Sequence, residues 1–98
     1  MVCAIVLLTV QRDQIHSTAE RIAAIDGVSE VYSVAGPHDL AVMVRARDHE
    51  RVADLVTRQL LQEPGILKSE TLFAFRVYSR YDVEHLFSVG MEPGSSGT

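Results

Sequence analysis

The sequence predicts an α+β fold of ferredoxin-like βαββαβ order: a four-stranded antiparallel sheet with two helices on one face. Three observations predict it. Apolar runs of strand character alternate with two stretches of helical spacing, and the middle two strands are joined by a connection too short for a crossover. The two halves also repeat one plan of strand, helix, glycine and strand, which is the split βαβ arrangement. Ninety-eight residues, 47% of them hydrophobic, suit a single domain with an ordinary core.

Val2 to Val10 is a continuous apolar run rich in Val, Ile and Leu and reads as a strand buried on both faces. Asp13 is placed to cap a helix in which Ile15, Ala19, Ile22 and Ala23 recur at helical spacing, and Gly27 supplies its stop. A second strand is expected from Val28 to Ala35, then a Gly36-Pro37-His38 turn and a third strand from Leu40 to Ala46, the pair forming a hairpin. Asp48 caps the second helix, Glu50 suits its first turn, and Val52, Leu55, Val56, Gln59 and Leu60 mark its inner stripe. Glu63-Pro64-Gly65 ends that helix, and the last strand is expected from Ile66 to Tyr78. The predicted domain covers residues 1–80, followed by a short helical appendage over 81–90 and a flexible tail over 91–98 rich in Gly and Ser.

Right-handed crossovers put both helices on one face and leave the other open. Yet both residue sets of the strands are apolar. Cys3, Ile5 and Leu7 oppose Ala4, Val6 and Leu8; Ala41 and Met43 oppose Leu40, Val42 and Val44; Leu72, Ala74 and Tyr78 oppose Phe73, Phe75 and Val77. An open face of this composition exceeds the apolar patch a monomer tolerates, so a homodimer packing sheet on sheet is expected. Tyr32, Phe73 and Phe75 then belong to core or interface rather than to stacking platforms.

Composition narrows the function. Nine Lys and Arg against thirteen Asp and Glu give a net charge of -4, which disfavours autonomous nucleic-acid binding. The apolar opening lacks a basic start and falls well short of the roughly 20 residues that span a bilayer, so a cytoplasmic protein without membrane contact is expected. Cys3 reads as a small buried thiol. The four histidines, His16, His38, His49 and His85, never stand four apart on one helix, and neither metal nor cofactor is expected. There is no glycine-rich phosphate loop and no nucleophile elbow. Arg45, Arg47, Arg76 and Arg80 suit a solvated rim or inter-subunit pairs, with an anion site as the alternative.

The stretch "VAGPHDLAV" (Val34 to Val42) carries the functional signal. Gly36 permits positive φ and close approach, Pro37 stiffens the turn, and the turn directs Asp39 and nearby N–H groups to the sheet end. An amino acid needs an acceptor for its ammonium and donors for its carboxylate. Asp39 offers the first; turn N–H groups with the Ser69 and Thr71 hydroxyls offer the second, those two residues sharing a strand face. The competing reading of Asp39 is a turn cap, that of His38 a solvated turn residue, and that of Ser69 and Thr71 ordinary strand residues.

The segments "DGVSEVYSVAGPHDLAVMVRARD", with its Gly-x-x-Asp turn, and "PGILKSETLFAF", in which Pro-Gly leads to a Ser/Thr-bearing strand, resemble the effector-binding (RAM) domain of the Lrp/AsnC family of transcriptional regulators. The likeness spans about residues 2 to 80. It implies an amino-acid or related small-molecule effector held at Gly36, Pro37, His38 and Asp39 with Ser69 and Thr71, in a pocket between neighbouring dimers. It also implies homodimers assembling into rings, commonly of eight subunits or more. Family members carry a helix-turn-helix for DNA that is not seen in these residues, so a stand-alone sensing module is expected, one able to co-assemble with full-length relatives, and not an enzyme. Two alternatives stand beside it: a dimeric α+β barrel monooxygenase or isomerase using His38 and Asp39 as base and orienting partner, and a pure co-assembly module without a ligand.

Overall fold

The computed structural model describes residues 1–78; the expected appendage at 81–90 and tail at 91–98, with Arg80 and His85, lie outside them. Strand β1 (Val2–Val10) is followed by a 3-10 turn (Arg12–Gln14) and helix α1 (Ile15–Ala23). Strands β2 (Val28–Ser33) and β3 (Leu40–Ala46) come next, then helix α2 (His49–Arg58), a second 3-10 turn (Leu60–Gln62) and strand β4 (Ile66–Ala74). The sheet order is β2-β3-β1-β4 and each pairing is antiparallel, the ferredoxin-like arrangement. Among the described residues no helix is long and apolar enough to cross a membrane.

Registers assign the two faces. Val6 stands opposite Val42 on one side and Thr71 on the other, so Ala4, Val6, Leu8 and Val10 share a face with Leu40, Val42 and Val44. That face is buried under Ile22 of α1 and Val52, Leu55 and Val56 of α2, with Leu60 beside them. Val6, Leu8, Ile22, Leu40, Val42, Val52 and Leu60 are wholly inaccessible, each adding about 1.5 to 3 kcal/mol of burial. The opposite face carries Cys3, Ile5 and Leu7, which are only half-buried, together with Met43 and the exposed Leu72. β1 is therefore sealed on the helix side alone, and not on both faces as its composition suggests.

Other boundaries differ for identifiable reasons. Asp13 does not cap α1: it falls in the 3-10 turn, and α1 starts after Gln14 with no side-chain cap. Ala23 and Gln59, expected on inner stripes, are exposed. β2 stops at Ser33 rather than Ala35, where Ser33 pairs with Leu40, the first residue of β3. β4 stops at Ala74 rather than Tyr78, because its partner β1 begins at Val2 and the last pair is Cys3 with Ala74. Asp48 behaves as expected, its Oδ1 accepting from the Arg51 N–H at 2.9 Å.

The two glycine stops work differently. Gly27 has φ +98, the left-handed conformation expected. Gly65 has no positive φ; instead a Cβ there would lie 2.8 Å from Gln14 Oε1 and 2.9 Å from Thr18 Oγ1, so it is the closeness of α1 that requires glycine. Arg21 fastens the same junction, donating to Glu63 Oε1 at 2.7 Å and to Thr18 Oγ1 at 3.4 Å.

Candidate functional site

The β2–β3 turn stands at the sheet end where β1 finishes. Gly36 has φ +122, and a Cβ at this position would meet nothing within 4 Å, so the turn backbone there is open to approach while conformationally demanding. Pro37 is exposed beside it. Asp39 anchors the turn from three atoms. Its N–H donates to Leu8 O at 2.8 Å, its carbonyl accepts from the Val34 N–H at 3.0 Å, and its carboxylate Oδ2 accepts from the Val10 N–H at 2.8 Å. The last bond satisfies a backbone donor on the β3 side of β1 just beyond Leu8, where the pairing with β3 ends at Leu40. Asp39 is thus a clamp on β1, reaching 29 residues back along the chain rather than two residues onward. Among the described residues Oδ2 is the carboxylate oxygen that accepts a hydrogen bond, which leaves Oδ1 to a further donor.

His38 goes the other way. Its Nε2 lies 3.8 Å from Glu70 Oε1, with 27% of the side chain exposed, and its Nδ1 is buried without a partner among the described residues. Glu70 pairs with Leu7, so this contact crosses β1 on the open face. Ser69 and Thr71 pair with Leu8 and Val6 and lie on the helix face. They share a face, as their spacing requires, yet β1 separates them from the turn: β3 and β4 flank it on opposite sides, about 9 to 10 Å apart. Within one chain the structure brings together Gly36, Pro37, His38 and Asp39, and adds Glu70. It does not bring Ser69 and Thr71 to them. Glu70 is not among the residues the sequence singles out, although its position between Ser69 and Thr71 fixes it to the opposite face.

Among the described residues no three His, Cys, Asp or Glu side chains gather as metal ligands. On the open face, the Glu30 carboxylate beside Tyr32, by hydrogen bonding and by charge, raises the phenol's pKa above its ordinary value.

The Lrp/AsnC ligand-binding domain family model matches residues 3–83. TTHA0845 of Thermus thermophilus is similar in structure, with a TM-score of 0.76 and 42% identity, over 82% of this chain and all of that one. The HTH-type transcriptional regulator PF0250 of Pyrococcus furiosus is 40% identical over 57 residues, which are 58% of this chain and 38% of that protein. The transcriptional regulator NMB0573 of Neisseria meningitidis, solved as a complex with L-Met, shares the fold at a TM-score of 0.73 and 15% identity, over 81% of this chain and 53% of that one. The chain spans about two fifths of the length of the curated relatives it matches. The chain belongs to the Lrp/AsnC ligand-binding domain family.

Proposed function

We propose that this chain is a regulatory module that senses an amino acid or closely related molecule in the cytoplasm, acting as an oligomer, and that it is not an enzyme. The observation that carries the reading is the Gly36–Asp39 turn in a chain of this family. The turn combines a glycine at φ +122 in open space with a carboxylate that keeps one oxygen for an incoming donor while the other holds β1. An effector ammonium meets Asp39 Oδ1, and turn N–H groups receive its carboxylate. Because β1 separates Ser69 and Thr71 from the turn of their own chain, they serve a site only across a contact between copies. That favours a pocket between neighbouring dimers.

Two copies pack open face to open face, with Leu7 and Leu72 at the centre of the contact. Such dimers build larger assemblies, in which full-length relatives can take part. With a net charge of -4 the module itself makes no specific DNA contact. Against the catalytic alternative stands the direction of the two side chains, His38 towards Glu70 and Asp39 towards Val10 rather than towards each other.

A thermal-shift screen against the twenty amino acids tests this reading. Stabilisation by one amino acid or a small related group is expected. A flat response to all twenty, with an unchanged oligomer, supports a co-assembly module instead.

A further inference from the structure

The tip of the β2–β3 turn is held by very little. Val34, Ala35, Gly36 and Pro37 are all exposed, and nothing stands within 4 Å of where a Gly36 Cβ would be, so no packing fixes the tip from outside. Asp39 secures one end of the turn to β1 through its three hydrogen bonds. His38, between that end and the tip, makes a different contact.

That contact reaches over a whole strand. The turn and β4 lie on opposite sides of β1, and His38 meets Glu70 above Leu7, Nε2 to Oε1 at 3.8 Å. Lys68 shares that face of β4 two residues away but stays beyond 4.0 Å from the Glu70 carboxylate, which leaves His38 as its partner among the described residues. The inner edge of the imidazole is seated against the protein, where Nδ1 is buried and unpartnered. A buried nitrogen in that state costs stability, so the ring stays there only because another contact holds it. The tautomer with its hydrogen on Nε2 aims that hydrogen at Glu70 and leaves a lone pair, not a second donor, in the buried position.

We propose that Glu70 and His38 are positioning residues, a strap from β4 across β1 that sets the Gly36–Asp39 turn for effector binding without touching the effector. Consecutive residues thus tie the turn to two strands, Asp39 to β1 and His38 to β4. A second copy covering the open face around Leu7 takes water away from the strap, which strengthens its electrostatics and makes an unpaired Glu70 costly. This role rests on the effector reading of the turn proposed above.

Hydrogen exchange of backbone amides, on the whole chain at one fixed concentration, tests it. Glu70→Ala and His38→Ala should each speed exchange of the Val34 and Asp39 amides, Glu70→Ala by about two- to fivefold, the weight of one partly exposed charge contact. The Val6 amide should keep its rate. Because Glu70 acts through His38, the double variant should exchange no faster than His38→Ala alone. Glu70→Gln, which keeps an acceptor oxygen, should fall between the parent and Glu70→Ala. Melting curves and light scattering on each variant establish that fold and assembly persist. The twenty amino acids, screened by thermal shift on the parent and on Glu70→Ala, read the consequence: the stabilisation that any of them gives the parent should shrink in the variant. Unchanged exchange of the turn in Glu70→Ala, or further acceleration when Glu70→Ala is added to His38→Ala, overturns the strap. A loosened turn that keeps its full response to the amino acids overturns its role in binding. A parent that responds to none of the twenty contradicts the effector reading of the turn, and with it the binding role, whereas the exchange rates still decide whether the strap holds the turn.

Discussion

Replacing Asp39 by Ala removes the carboxylate that accepts from the Val10 N–H at 2.8 Å. Val10 is 4% exposed, so water cannot easily take over, and the donor is left unsatisfied at the end of the central strand. A hydrogen bond to a charged acceptor contributes about 1.5 to 3 kcal/mol, and an orphaned buried donor costs a similar amount, so the loss should fall in that range. For a domain of this size each kcal/mol shifts Tm by about 4 to 8 °C, which gives a drop of roughly 6 to 24 °C. Asp39→Asn keeps an oxygen for the Val10 N–H and should cost less than about 1 kcal/mol. Urea and thermal melts at one fixed protein concentration measure both, since assembly makes Tm concentration-dependent. If Asp39→Ala melts within about 2 °C of the parent, the clamp on β1 contributes little and the role assigned to Oδ2 is wrong.

Three further outcomes follow from particular contacts. Gly36→Ala, placed at φ +122 with no neighbour to strike, should lose about 1 to 2 kcal/mol from backbone strain alone, whereas Gly65→Ala should destabilise by collision with Gln14 and the buried Thr18, and Thr18→Ala should partly rescue only the latter. Asp48→Ala should cost about 0.5 to 2 kcal/mol by freeing the Arg51 N–H, read by chemical denaturation. Leu7→Glu, set between Ala41 and Glu70 on the open face, should convert the assembly to a 10.8 kDa monomer by light scattering; an unchanged oligomer would show that the open face is not the interface.

Much of the fold is legible in the sequence, where local rules and tertiary demands agree. β1, β3 and α2 stand out because apolar period, cap and turn residues all coincide, as at Asp48 and Gly36. The failures arise where distant partners decide. Phe75 to Tyr78 have strand-type residues, but β1 ends before reaching them, so a good strand sequence goes unpaired. Asp13 resembles a cap, but a 3-10 turn consumes it. The turn Gly36–Asp39 is visible as a candidate site from its residue types, whereas the bond from Val10 to Asp39 joins residues 29 apart and follows only from the sheet order. For the same reason the shared face of Ser69 and Thr71 is readable from strand alternation, while the interposed β1 and the contact of His38 with Glu70 are not.

The Asp39→Asn variant separates the two duties assigned to one carboxylate, since it keeps the clamp and loses the charge. Calorimetric titration of the amino acid that most stabilises the parent protein, into parent and Asp39→Asn side by side, is the most direct measurement of the central claim. Binding to the parent is expected, with a roughly ten- to hundred-fold weaker affinity in the variant, the loss of one charge-assisted bond, while Tm and oligomer size are nearly preserved. Equal affinity in the two proteins, or no amino acid binding the parent at all, would contradict it.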